Sequence, residues 1–423
     1  MRELIVLTAL AIVFATYVWF SRKDGSWFNA LTPQLFLAIP SLYLAQIARL
    51  SLDLDEPATI LEWAYLFACY CVPVVVFAWT LQYAKVPHLL RIRHRKLQRL
   101  QSAPWVCLVL GILLYLPVAI AFRADLLNPR AIYEQTRSGF GVNFFLSTML
   151  ATLGFVLYLF KTRSELRRAV FYLICTGLSL AHGSKSAVLF LGMIWLLHRR
   201  YADGHRLPLK QALPLLLLMA AALAGLFYFF STGIEIADLA NYIIGYSDYT
   251  SNGLMVMHAD KPALFGRLFF EDNVYSRVPR VLFPGKPKDF GTFYLAKLYF
   301  PESFELDQGV PAFGVGLTYA DFKWLTLPIL CAGAVFMGML TKTYRNALAR
   351  FRQPGDFVVF LFLCGAPVLS VGAGVLLPEH MIIGSALTLL LGLRLRRQRT
   401  ALGRPVALPV PASGPTLAGG LDA

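Results

Sequence analysis

Acidic residues are scarce in this chain. Its 423 residues include 24 Asp and Glu against 39 Lys and Arg, and charged residues make up only 15%. Soluble domains run nearer about 25% charged, so this composition could not cover a water-facing surface. Segments that alternate apolar and polar residues are also lacking, which excludes a β-barrel as the spanning unit. The first apolar run starts at Leu4 with almost no basic stretch before it, and Arg22 and Lys23 follow it instead. That order reads as a first transmembrane helix with its N-terminus outside, not as a cleaved signal. All six cysteines fall in apolar segments, and the Cys69/Cys71 pair has no metal-binding pattern, so neither a disulfide framework nor a metal centre is expected. There is no phosphate-binding Walker loop, no His-Glu-x-x-His and no Gly-x-Ser-x-Gly, and no cofactor is expected. Ionisable residues are nearly missing from the apolar runs, Glu62 being the clearest, which weighs against an ion-coupled transporter.

What the chain does contain is hydrophobic residue, 57% of the total, in blocks long enough to cross a hydrocarbon core of about 30 Å as helices. The expected fold is all-α: a polytopic bundle of about eleven spans. They are read near Leu4–Phe20, Ala30–Ala48, Ala58–Tyr83, Ala103–Phe122, Val142–Phe160, Ala169–Ala181, Ser186–Leu197, Ala212–Phe230, Trp324–Leu340, Phe357–Leu377 and Met381–Leu393. Residues 1–400 form one transmembrane domain, with a loop of about ninety residues (231–323) between spans eight and nine. Residues 401–423 read as a disordered cytoplasmic tail.

Lysine and arginine set the direction. Alternate short loops, starting with Ser21–Asn29, hold about two-thirds of the chain's 39 Lys and Arg. Placing these loops in the cytoplasm puts the N-terminus outside and the C-terminus inside. The net charge of +15 then reflects topology and contact with anionic membrane lipid, so no nucleic-acid partner is expected.

Basic residues on the outer side need a separate reason. Arg137 lies in the loop Arg123–Gly141, Lys185 follows Ser184 at a tight helical hairpin, and Arg277, Arg280, Lys286 and Lys288 cluster in the long loop. An anionic ligand explains them, since arginine binds phosphate oxygens bidentately and Gly-Ser-Lys-Ser offers backbone N–H groups at a helix start. A loop salt bridge for Arg137 or Arg280, and a lysine reaching the interface at Lys185, are the blander readings. Lys286 and Lys288 are expected to face solvent, though Lys286 stays among the candidate contacts. Carboxylates of the long loop, Glu271 and Asp272 foremost, are candidate general bases. A segment over Ile234–Gly245 reads as an amphipathic helix lying on the membrane surface.

Three blocks carry a family resemblance. Arg277-Val-Pro-Arg-Val-Leu-Phe-Pro-Gly-Lys-Pro287 resembles a Pro-Arg block of Wzy-type O-antigen polymerases. Ile132-Tyr-Glu-Gln-Thr-Arg-Ser-Gly-Phe-Gly141 resembles their Tyr-x-x-x-Arg-x-Gly outer loop, and His182-Gly-Ser-Lys-Ser186 resembles their Gly-Ser-Arg turn, with Lys185 in place of Arg. The stretch Gly316–Phe322 has no Glu where relatives often place one. The resemblance implies a GT-C-like architecture with one large periplasmic loop, in the bacterial inner membrane. It also implies a glycosyltransferase acting on undecaprenyl-pyrophosphate-linked oligosaccharide, alongside a polysaccharide chain-length regulator. Arg137 and Arg280 would steady the leaving pyrophosphate without a metal, with Glu271 or Asp272 as base. Lys185, Arg277, Ser184 and Lys286 would bind substrate, and Tyr133 and Tyr275 would meet sugars. An O-antigen ligase and a lipid-linked oligosaccharide flippase are the rival readings.

Overall fold

The computed structural model describes residues 1–52, 58–86, 98–99, 102–126, 131–132, 140–183, 185–230, 244–245, 248–275, 278, 283–305, 311–365 and 393–394. Within these the protein is helical apart from one antiparallel pairing of two residues on each side, Gln98–Arg99 with Leu393–Arg394. Five helical stretches are long and apolar enough to cross a membrane, and two shorter apolar helices accompany them.

The expected first span is α1 (Arg2–Asp24), ended by Gly25 in the left-handed conformation. The second is not one regular helix. It runs as α2 (Thr32–Ala38), a π-helical turn (Ile39–Leu44) and α3 (Ala45–Ser51). Pro40 explains the break: it has no N–H for the ladder, and the wider turn absorbs the missing bond. The third is α4 (Ile60–Tyr83), opened by a capping box in which Thr59 and Glu62 bond each other's backbone N–H. Glu62 therefore sits at the mouth of the span, not within it.

Then come α5 (Ala103–Ala121), α6 (Gly141–Lys161), α7 (Glu165–Ala181), α8 (Lys185–Tyr201) and α9 (Leu209–Phe230). The long loop contributes α10 (Asp248–His258), α11 (Arg267–Tyr275), α12 (Thr292–Tyr299), α13 (Pro301–Glu305) and α14 (Val315–Phe322). The chain re-enters the bundle as α15 (Thr326–Phe351) and α16 (Pro354–Gly365). The expected helix at Ile234–Gly245 lies almost wholly outside the described residues, as do the last span, the second half of the span before it, and the tail.

Two packed groups make the core. In one, α4 lies between α1 and α15; in the other, α5 lies along α6, which α7 and α8 continue. The helices approach closely through small residues, as helices in lipid must when apolar burial alone does not drive them together. At Gly338 of α15 an added Cβ would stand 2.9 Å from Thr80 Cβ of α4. Cys69, Cys71, Cys107, Cys175 and Cys364 are buried free thiols, and Cys331 is half-buried.

The bonds between helices sort their ends into two faces. At one end Arg2 of α1 reaches Ala58, just before α4, and Tyr65 of α4 accepts from Leu327 N–H at the start of α15. At the other, Arg200 of α8 reaches Asp24 of α1, and Lys342 of α15 reaches Gln82 of α4. The described part of the long loop packs on the first face, and the described Lys- and Arg-bearing connections at 161–168, 198–206 and 350–354 gather at the second.

Candidate functional site

The loop is a folded layer seated on the mouth of α4. Tyr65 Oη donates to Trp324 O at 2.7 Å, and Tyr70 Oη donates to Tyr249 O at 3.1 Å. Helix α10 crosses α14 at Gly253 and Gly316, where a Cβ on Gly316 would stand 2.8 Å from Gly253 Cα. Asn252 Nδ2 donates to Ala312 O at 2.8 Å, closing the same contact.

Helix α11 hangs from α14. Asp321 is fully buried, and its two oxygens accept from Leu268 N at 3.0 Å and Phe269 N at 2.7 Å. A carboxylate at a helix start satisfies orphan donors and complements the helix dipole. Leu264 N and Phe265 N bond back to Ala320 O and Asp321 O. Asp321 thus fixes where α11 begins, and Arg277 and Arg280 follow α11 in sequence. Asp321 lies in the stretch where the resemblance shows no Glu. Its role was not read from the sequence, because its partners are 52 and 53 residues away.

Glu271 and Asp272, near the end of α11, both hold the chain that returns to α12. Glu271 Oε1 accepts from Arg267 Nε at 2.7 Å, and Oε2 accepts from Gly291 N at 3.1 Å. Asp272 Oδ1 accepts from Thr292 Oγ1 at 3.3 Å. The Tyr275 ring lies against Phe283 and Phe290, with centroids 6.0 and 5.6 Å away. Lys286 is not simply solvated: Nζ donates to Val278 O at 3.2 Å and stands 4.6 Å from the Phe290 ring centre. These contacts draw together the residues on either side of Arg277 and Arg280. Both arginines lie outside the described residues, as do Tyr133, Arg137 and Ser184. Lys185 is the first residue of α8, and its side chain is also outside the description. Lys288 is exposed, as expected.

Two further groups lie at this face. His182 is fully buried, with Nε2 2.9 Å from Ser147 Oγ, which itself donates to Gly111 O. Since the serine proton is so placed, the imidazole donates through Nε2. His182 therefore ties α6 and α7 together. Glu62 Oε2 lies 3.4 Å from His258 Nδ1, with the imidazole half exposed. A carboxylate behind an imidazole orients it, leaving Nε2 to exchange a proton. The two residues are 196 apart in sequence, and the local pattern at each, a capping Glu and a helix-end His, gave no sign of the pairing. No group of three or more His, Cys, Asp and Glu among the described residues has the arrangement of a metal site.

Two curated relatives match nearly the whole chain. The O-antigen polymerases of Salmonella typhimurium and Salmonella typhi are each 32% identical to it over 380 residues, which is 89% of this chain and 92% of the relative. The chain belongs to the O-antigen polymerase family. No family model and no solved structure matches it. Five candidate spans agree with an integral membrane protein.

Proposed function

We propose that this protein polymerises undecaprenyl-pyrophosphate-linked oligosaccharide repeat units into O antigen, in the bacterial inner membrane and at its periplasmic face. The observation that carries the reading is the 32% identity with two O-antigen polymerases along 89% of the chain. The excess of Lys and Arg at the opposite face supports the orientation, with the N-terminus outside, the C-terminus inside and about eleven spans in one domain (1–400).

In the reaction, a hydroxyl oxygen of the incoming repeat attacks the anomeric carbon of the growing chain's first sugar. The bond from that carbon to the pyrophosphate oxygen breaks, and its electron pair leaves with the lipid pyrophosphate. The hydroxyl proton passes to a base, for which Glu271 and Asp272 are candidates and the Glu62–His258 couple is a third. Negative charge grows on the leaving group, so fixed cations there act in the transition state without a metal. Arg137 and Arg280 take that role, helped by Lys185, Arg277, Lys286 and the backbone at Ser184. Tyr133 and Tyr275 stack on sugars.

The test is chain extension by the purified protein on a synthetic undecaprenyl-pyrophosphate repeat unit, with and without chelator. A ladder that persists in chelator is expected. Arg137→Ala and Arg280→Ala should each lower extension by about 10²–10³-fold while still inserting. Normal ladders from both variants would overturn the assignment. In a deletion strain, core bearing one repeat is expected; bare core would point to a ligase.

A further inference from the structure

The face opposite the loop holds a cavity of about 260 Å³. It is lined by Leu159, Phe160 and Thr162 at the end of α6, by Arg163 and Arg168 around the start of α7, and by His198, Asp203 and Arg352. Three arginines face one carboxylate there. Arg168 is buried and bonded to Asp203 Oδ2 at 2.8 Å, and Arg352 reaches Asp203 Oδ1 at 3.0 Å. Arg163 is exposed and makes no bond to a described residue. The lining thus keeps a cationic excess after Asp203 is counted.

His198 adds an independent sign. Its side chain is 1% exposed, yet neither ring nitrogen has a hydrogen-bond partner. Nδ1 stands 3.3 Å from Asp203 Oδ2 but is not aligned to donate. Phe160 and Phe357 hold the ring edge-on at 4.5 and 5.4 Å. A buried, unpartnered polar ring on a cationic cavity wall calls for an acceptor.

We propose that this cavity binds a phosphate group. Arginine forks match phosphate oxygens, and an imidazole can donate to a third. The surroundings favour a phosphate carried by a membrane lipid. On the adjoining helix α7, Leu166 and Leu173 are 75% and 64% exposed. Trp105 of α5 packs on Phe171 with centroids 5.0 Å apart while remaining 43% exposed, as an aromatic at a membrane interface does. An anionic headgroup in the cytoplasmic leaflet would reach the cavity beside these residues. The site is separate from the polymerising face and does not depend on that assignment.

The experiment uses the full-length protein in detergent, with phosphatidylglycerol, phosphatidylcholine and inorganic phosphate as probes. Native mass spectrometry reads lipid binding, and thermal unfolding reads phosphate. Phosphatidylglycerol should bind at least about tenfold more tightly than phosphatidylcholine, a preference lost in a variant with Arg163→Gln and Arg352→Gln. Arg163→Glu, which removes no bond to a described residue, should weaken binding in the same direction and guards against misfolding of the double variant. Stabilisation by inorganic phosphate alone, lost in the same variants, would assign the site to a free phosphate. Equal behaviour of wild type and variants toward phosphatidylglycerol and toward inorganic phosphate would overturn the proposal.

Discussion

The two faces of the bundle use carboxylates in opposite ways. At the Arg-rich face, Asp24 and Asp203 gather cations. Asp24 meets Arg200 and Arg345, while Asp203 meets Arg168, Arg352 and His198. At the loop face the described carboxylates mainly hold the chain: Asp321 starts α11, Glu271 and Asp272 hold the return into α12, and Glu62 caps α4. Positive charge at the first face is thus a lock between helices and, on the proposed orientation, a topological signal as well. At the second, the carboxylates brace α11 and the start of α12, between which Arg277 and Arg280 lie in sequence. Breaking one element at each face tests whether that division is real.

The largest effect on stability is expected at the Arg-rich face. Arg168 is 2% exposed and makes four bonds. It donates to Leu159 O and Thr162 O at the end of α6, and to Glu165 and Asp203. Burial pushes the Asp203 carboxyl up, but Arg168, which bonds it, and the His198 ring beside it outweigh burial and hold the group well below the usual carboxylate range. A depressed carboxyl stabilises the fold at any pH above about 4, the unfolded value, and loses that contribution as pH falls through its folded value. Arg168→Ala removes the main partner and leaves a nearly buried charge. It should cost about 3–5 kcal/mol, read as a lower unfolding temperature in detergent and lower yield. A near-neutral result would show that Asp203 is served by Arg352 alone, and that the lock is looser than its geometry.

The next effect belongs to the loop face. Asp321→Ala removes both acceptors at the start of α11 and should destabilise that helix by about 1–2 kcal/mol. Because α11 leads in sequence to Arg277 and Arg280, for which a role in the reaction is proposed, chain extension should fall more than global stability does. Asp321→Asn keeps one oxygen acceptor and should lie between. Hydrogen exchange at Leu268 and Phe269 is the direct measurement, and unchanged protection in the alanine variant would remove Asp321 from this role.

Sequence was most informative where a property is local. Continuous apolar runs located α1, α4, α6 and α9 to within a few residues, since length and composition alone set a span. The second apolar run, Ala30–Ala48, reads as one span, whereas its break into two helices around a π-helical turn at Pro40 depends on packing. Long-range pairings were not legible. The seat of the loop on α4 needs Tyr65 to meet Trp324, and the Asp203 cluster needs Arg352, 149 residues away. Glu62 looked like an intramembrane charge because the cap at Thr59 blurs where the apolar run begins. At the candidate site, the sequence supplied Glu271, Asp272, Tyr275 and Lys286, but not the contacts that brace them. Asp321 and the Glu62–His258 couple escaped for the same reason.

The smallest expected effect sharpens the division most. Arg267, at the loop face, is paired to a carboxylate, Glu271, in an i,i+4 contact at 2.7 Å with its side chain 51% exposed. It also stands 5.1 Å from the Tyr294 ring centre. Exposed pairs of this kind contribute under about 1 kcal/mol, because solvent screens them and both side chains lose freedom. Glu271 is also held by Gly291 N, so it should keep its place without the arginine. Arg267→Gln should therefore leave both unfolding temperature and ladder length nearly unchanged. Shortened ladders at unchanged stability would instead place Arg267 on the substrate, and the loop face would then use this cation as it is proposed to use Arg137 and Arg280. Loss of stability without loss of extension would mean that this face, like the other, is locked by ion pairs.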